Sequence, residues 1–155
     1  MSQKEVKRRN VARTVFIQAW KYFKRSKISS FSFALKLAWR AVRSMVRFHY
    51  SKVKGVSMGN RQALLKRLAR YAPQDVFLSF LREPDNPFDP NAIQVVAEVR
   101  NKGQAAIGYV AKELAAIIAP ILDSGNKEAV VLFNGIHSTT GINSFLGCNF
   151  CYAIL

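Results

Sequence analysis

The chain has 155 residues, with 24 Lys/Arg against nine Asp/Glu and a formal net charge of +15; half its residues are apolar and 12 % are aromatic. That length holds one domain, or one domain with an appendage, and a real core, and that composition excludes a disordered chain. Two cysteines exclude a disulfide framework, no apolar run reaches the ~18–20 residues of a membrane span, and the N-terminus has no apolar stretch of the kind a secretory signal needs, so a reduced, cytoplasmic setting is expected.

The charge is unevenly distributed. Residues 1–50 hold 13 Lys/Arg and one acid, Glu5, a net of +12, whereas the rest of the chain nets only +3. The expected division is a basic tail and helical hairpin over 1–50 and a nearly balanced body over 51–155. Such asymmetry points to a polyanionic partner, most commonly nucleic acid, with an anionic membrane surface or mere solubility as the alternatives.

Residues 1–10, MSQKEVKRRN, read as a loose basic tail. From Val11 the apolar period is helical: Ala12, Val15, Phe16, Ala19, Trp20 and Phe23 share one face, away from Arg13, Lys21, Lys24 and Arg25. KRSKISS breaks the pattern and offers Ser29, Ser30 or Ser32 as an N-cap. A second helix is expected over 32–48, with Leu35, Ala38, Trp39, Val42, Met45 and Val46 as its apolar stripe. Lys36, Arg40, Arg43 and Arg47 step by four, three and four, forming a basic stripe that either lies along phosphates, is a plain solvated face, or rests on a membrane surface. Trp20 and Trp39 fall within the apolar stripes and are expected to be core anchors.

In the body, a short strand over 52–57, a Gly-Asn corner and a helix over 60–70 come first. DVFLSFLREP is a strand apolar on both faces, and NAIQVVAEVR is an alternating one with Ile93, Val95, Ala97 and Val99 on one side. NKGQ is a turn and AAIGYV a strand. AKELAAIIAPILDSG is a helix with Leu114, Ile117, Ile118, Ile121 and Leu122 facing inward; Gly125 is its stop and Pro120 is expected to kink or split it. KEAVVLFNGI and INSFLGCNFCYAIL are the last strands. Short strands interleaved with two helices predict an α+β, mainly β fold: a small, curled antiparallel barrel preceded by the basic hairpin.

Few residues carry catalytic or metal chemistry. Cys148 and Cys151 form a C-x-x-C, but a structural zinc site needs four Cys/His ligands and neither His49 nor His137 has ligand spacing. On a strand the two cysteines point to opposite faces. There is no phosphate-binding G-x-x-x-x-G-K-[ST], no G-x-S-x-G and no H-E-x-x-H. No enzyme activity, metal or cofactor is expected.

The richest stretch is LREPDNPFDPNAIQV, residues 81–95, followed by IGYVAKELAAIIAPILDSG. Together with KGVSMGNRQALLKRL these motifs resemble the HIRAN domain of the stand-alone bacterial and phage type, over residues from about 53 to the C-terminus. The resemblance implies an OB-like barrel of about six strands with two helices. It also implies binding of single-stranded DNA with the 3′ end in a pocket, in repair- or replication-related processes, with a helicase or nuclease as the partner such a module serves. By resemblance, Phe88 stacks on the terminal base, Asp89 accepts from the 3′-hydroxyl, and Asn86 is the polar residue of the same loop. Tyr109 and Lys112 approach base and phosphates. End-binding members carry a basic and then an aromatic residue on the opening strand; here the nearest positions are Ser57 and Met58, with Arg61 able to supply the charge.

A carboxylate repels phosphate, so Asp89 favours a free 3′-hydroxyl, which donates, over a phosphorylated end. One stacked base contributes roughly 1–3 kcal/mol and tolerates any base identity. The bland alternative is that Asp85 and Asp89 make Asx-turns, Pro84, Pro87 and Pro90 fix the backbone, and Phe88 plugs the barrel end. Two other functions use the same fold without an end pocket: a protein-interaction adaptor, and RNA binding.

Overall fold

A computed structural model describes residues 2–25, 30–44, 47–138, 141 and 144–155. The chain divides into two compact units, Met1–Phe48 and His49–Leu155.

The first unit is a pair of helices, α1 (Gln3–Arg25) and α2 (Phe31–Ser44). The expected loose tail is instead the first two turns of α1. Ser2 and Glu5 explain why: the Glu5 carboxylate accepts from Ser2 N at 2.7 Å, and Ser2 Oγ accepts from Glu5 N at 3.3 Å. This reciprocal capping box satisfies donors that a helix start otherwise leaves orphaned. Ser30 is the cap of α2, its Oγ accepting from Phe33 N at 3.2 Å. Ser29, Met45 and Val46 lie outside the described residues.

The hairpin buries Val15, Ala19 and Tyr22 from α1 and Ala34, Leu37, Ala38 and Ala41 from α2. These seams run at i, i+4, i+7, and four alanines let the backbones come close. The buried face of α1 is rotated from the expected one, since Phe16 and Phe23 are exposed. Trp20 and Trp39 are not core anchors: they are 42 % and 45 % exposed. An alanine seam is too shallow to receive an indole. Trp20 instead joins Phe16, Phe23 and Phe31 in a surface cluster with ring centroids 5.0–5.9 Å apart. Arg47 does not continue a helical stripe; it lies past the end of α2 and outside any helix.

The second unit is a six-stranded antiparallel sheet with two helices. Its strands are β1 (His49–Lys52), β2 (Val76–Arg82), β3 (Ile93–Val99), β4 (Gly103–Tyr109), β5 (Ala129–Ser138) and β6 (Leu146–Ile154), in the order β1-β6-β5-β2-β3-β4. Helix α3 (Arg61–Leu68) follows β1, and α4 (Lys112–Asp123) joins β4 to β5. The curled, mainly β architecture is the expected one, but no ladder closes it. Among the described residues the two sheet ends are tied by one bridge: Lys54 N donates to Tyr109 O at 2.7 Å and Tyr109 N to Lys54 O at 2.9 Å.

Phe150, Leu65, Ile93, Val95, Ile107, Ile118 and Cys148 fill the interior. Phe80 meets the Phe150 ring edge-on at 5.6 Å. Both cysteines are buried and free, and burial pushes each thiol up to about 12, far from reactive thiolate character.

Three local expectations need correction. The opening strand ends at Lys52 because Gly55, with φ 71°, turns the chain; Ser57 and Met58 therefore lie in the turn that follows and not on the strand. The buried face of α4 is Ala115, Ile118 and Ala119, while Ile117 is 65 % exposed. Pro120 does not split α4, which runs through to Asp123; the missing N–H removes one bond from an exposed turn. Gly125, φ 73°, stops it as expected.

Candidate nucleic-acid interface

The loop 83–92 springs directly from a ladder. The β2–β3 register ends at Arg82↔Ile93, and Glu83 N then donates to Ala92 O at 2.9 Å, clamping the loop base. Within it, Asn86 Oδ1 accepts from Phe88 N at 2.9 Å and from Asp89 N at 3.1 Å, and Asp89 Oδ1 accepts from Asn91 N at 2.9 Å. These Asx-type bonds and three prolines hold the backbone with no help from the Phe88 side chain. Phe88 is free to point outward: it is 90 % exposed, so it does not plug the barrel end. The second Asp89 carboxylate oxygen has no protein donor among the described residues.

The loop is tied to β4 through Glu83, which is not among the site residues expected from the motif. Its carboxylate accepts from Asn86 Nδ2 at 2.9 Å, from the Tyr109 hydroxyl at 2.9 Å, and from Gln94 Nε2. The strand register explains the meeting, because Gln94 pairs with Tyr109 on β4 and with Leu81 on β2, bringing three strands to one spot. On the Tyr109 ring, the Arg61 guanidinium sits 5.3 Å from the centroid, and Arg61 Nη1 donates to Gly55 O at 2.7 Å. A continuous chain of contacts therefore runs Gly55–Arg61–Tyr109–Glu83–Asn86–Phe88/Asp89. It gathers five of the expected residues: Arg61, Tyr109, Asn86, Phe88 and Asp89.

The other two stand at its margins. Met58 lies in the Gly55–Asn60 turn just before Arg61, whose N–H donates to Met58 O at 3.3 Å, and the residue is 65 % exposed. Lys112 opens α4, exposed, and no hydrogen bond joins it to the loop among the described residues. Lys36, Arg40 and Arg43 belong to the hairpin unit and are treated below.

Arg82 fixes the loop from the other side. Nε and Nη2 donate to the two Asp123 carboxylate oxygens at 2.8 Å each, Nη1 to Ala92 O at 2.8 Å, and Nη2 to Pro90 O at 3.1 Å. The Arg82 hydrogen bonds lower the Asp123 carboxyl below its ordinary value, against a smaller opposing effect of desolvation. A depressed carboxyl contributes stability above its unfolded pKa and loses it as pH falls through the folded value. The tether therefore persists at neutral pH and lets go only in acid. In an NMR titration, the Asp123 carboxyl is expected to titrate below a free aspartate, and Arg82→Met to return it to the ordinary range.

No group of three or more His, Cys, Asp or Glu suited to a metal occurs among the described residues. Nor is any described helix long and apolar enough to cross a membrane. The arrangement offers an aromatic face, an acceptor and flanking cations, which is the chemistry of recognition.

The HIRAN domain family model matches residues 45–144. Among solved structures, the chain is similar to the HIRAN domain of human HLTF, with 21 % identity over 69 % of this chain and 74 % of that one, at a TM-score of 0.44. It is also similar to a protein from Lactobacillus plantarum, with 17 % identity over 69 % of this chain and 99 % of that one, at a TM-score of 0.41. No curated protein matches. The matched span carries β1 through β5, both body helices and the whole Glu83–Ala92 loop, and the chain belongs to the HIRAN domain family of nucleic-acid-binding domains.

Proposed function

We propose that the loop 83–92 receives the 3′ end of a single DNA strand in repair- or replication-related processes. The observation that carries this reading is Phe88: a phenyl ring 90 % exposed at the tip of a loop that prolines, Asx bonds and Arg82 hold rigid. A large apolar ring presented to water on a fixed backbone is a stacking platform whose ordering cost is already met. Asp89, one residue on, supplies an acceptor with spare capacity for a terminal hydroxyl. The Arg61 guanidinium against Tyr109 adds positive charge at the same end of the sheet.

The test is fluorescence polarisation with one oligonucleotide carrying either a 3′-hydroxyl or a 3′-phosphate. The hydroxyl form is expected to bind roughly tenfold tighter or more, the worth of a hydrogen bond to a charged group. Asp89→Ala is expected to erase the difference by weakening the hydroxyl form. Equal affinities in the wild type remove end recognition. Salt dependence separates strand binding from an adaptor role: a log–log slope of roughly −0.7 per phosphate contacted is expected, and a flat response favours a protein partner. A ribo-oligonucleotide in the same assay ranks RNA against DNA.

A further inference from the structure

The hairpin carries cationic hollows on either side of one indole. Lys4, Arg8 and Val11 of α1 line one hollow with Trp39; Lys36, Arg40 and Arg43 of α2 line the other with the same Trp39. The geometry follows from the helical period. Residues 4, 8 and 11 share one stripe of α1, residues 36, 39, 40 and 43 share one stripe of α2, and the alanine seam brings the stripes alongside. Five cations thus surround a Trp side chain 45 % exposed. The only acid in the sequence of residues 1–50, Glu5, is turned back onto Ser2 N. Among the described residues no carboxylate pairs with any of the five.

We propose that this cradle is a second single-strand binding subsite, with Trp39 as the stacking platform for a base and Lys4, Arg8, Lys36, Arg40 and Arg43 as contacts to the phosphates on either side. The proposal takes its ligand class from the single-strand reading above and uses none of that site's residues. A solvated basic face needs only the cations. What it does not need is a large aromatic ring held half out of water in their midst, beside a seam of α2 that buries only alanine and leucine. An exposed indole with cations on both sides matches a chain that alternates flat bases with phosphates. It also gives sequence tolerance, because every base has a π-face. An anionic bilayer offers the charge but no planar groups at phosphate spacing.

The experiment uses the full chain with Trp20→Phe, which leaves Trp39 as the sole tryptophan, and a thymidine oligonucleotide ending in a 3′-phosphate to suppress the end site. Titration is expected to quench Trp39 emission. The same length of abasic oligonucleotide is expected to bind with little quenching. Trp39→Ala is expected to lower affinity roughly fivefold or more, and Trp39→Phe to recover part of it. The 3′-hydroxyl preference read on Asp89 is expected to survive in Trp39→Ala, so either site can fail without the other. Unchanged emission at saturation overturns the proposal, as does equal affinity of Trp39→Ala and the parent. Emission that shifts blue on phosphatidylserine vesicles while the oligonucleotide leaves it unmoved also overturns it, in favour of a membrane surface.

Discussion

Gly108→Ala is expected to cost the body at least about 3 kcal/mol and to lower its melting temperature by roughly 10 °C. A Cβ built at Gly108 lies 2.4 Å from Lys54 O and 2.4 Å from Val53 Cγ1. The first of these is backbone, so no rotamer change relieves it. Lys54 O is also the acceptor of Tyr109 N in the bridge that ties the two ends of the sheet. Relief therefore requires β4 to move away from residues 53–54, and that opens the bridge. Val53→Ala added to Gly108→Ala removes only the side-chain clash, so the double variant is expected to regain little. Amide exchange at Lys54 and Tyr109 reports the bridge directly, and both amides are expected to lose protection. An unchanged melting temperature would falsify the claim that this contact holds the curled sheet together. The consequence reaches the candidate site, because Tyr109 follows Gly108 and anchors Glu83: oligonucleotide affinity is expected to fall with the fold.

The body was largely legible because its strands alternate and its turns carry their own chemistry. Ile93, Val95, Ala97 and Val99 lie on the buried side of β3 as their period requires. Asn101 and Gly103, at φ 62° and 104°, make the β3–β4 turn that NKGQ implies. The hairpin was less legible. Apolar residues there outnumber the places in the core, so periodicity could not tell which of Trp20, Tyr22, Trp39 and Leu37 would be inside. Packing density decided it: a close alanine seam took Tyr22 and Leu37 and left both indoles out. The Ser2–Glu5 capping box is written in its S-x-x-E spacing, but MSQKEVKRRN has no apolar period behind it to mark a helix.

In the loop, the motif found Asn86, Phe88 and Asp89, but Glu83 and Gln94 required the register. A polar residue at the end of one strand acquires meaning only when its neighbours on the next two strands are known. No spacing along the chain brings residues 83, 94 and 109 together; antiparallel pairing does. The division of charge gains a sharper meaning as well. The body nets +3 and holds its most exposed ring, Phe88, on a rigid loop, whereas residues 1–50 net +12 and surround one of their two indoles with cations. On the proposed reading, the loop selects an end and the hairpin holds any strand.

Phe88→Ala is the substitution expected to separate recognition from folding. The ring is 90 % exposed, so its removal forfeits almost no buried surface, and the loop backbone keeps its Asn86, Asp89 and Arg82 hydrogen bonds. The melting temperature is therefore expected to stay within about 1 °C of the parent. Affinity for a 3′-hydroxyl oligonucleotide is expected to drop by roughly 1–3 kcal/mol, about 5- to 150-fold, the worth of one stacked base. Phe88→Tyr keeps the π-face and is expected to bind like the parent; Phe88→Leu keeps the bulk and loses the face, and is expected to resemble alanine. That contrast distinguishes stacking from apolar docking of a protein partner, for which leucine would serve nearly as well. The salt slope is expected to be the same in Phe88→Ala as in the parent, since a ring contributes no counterion release. A fall in affinity accompanied by a shallower slope would mean that the loop repositions phosphates instead of stacking a base.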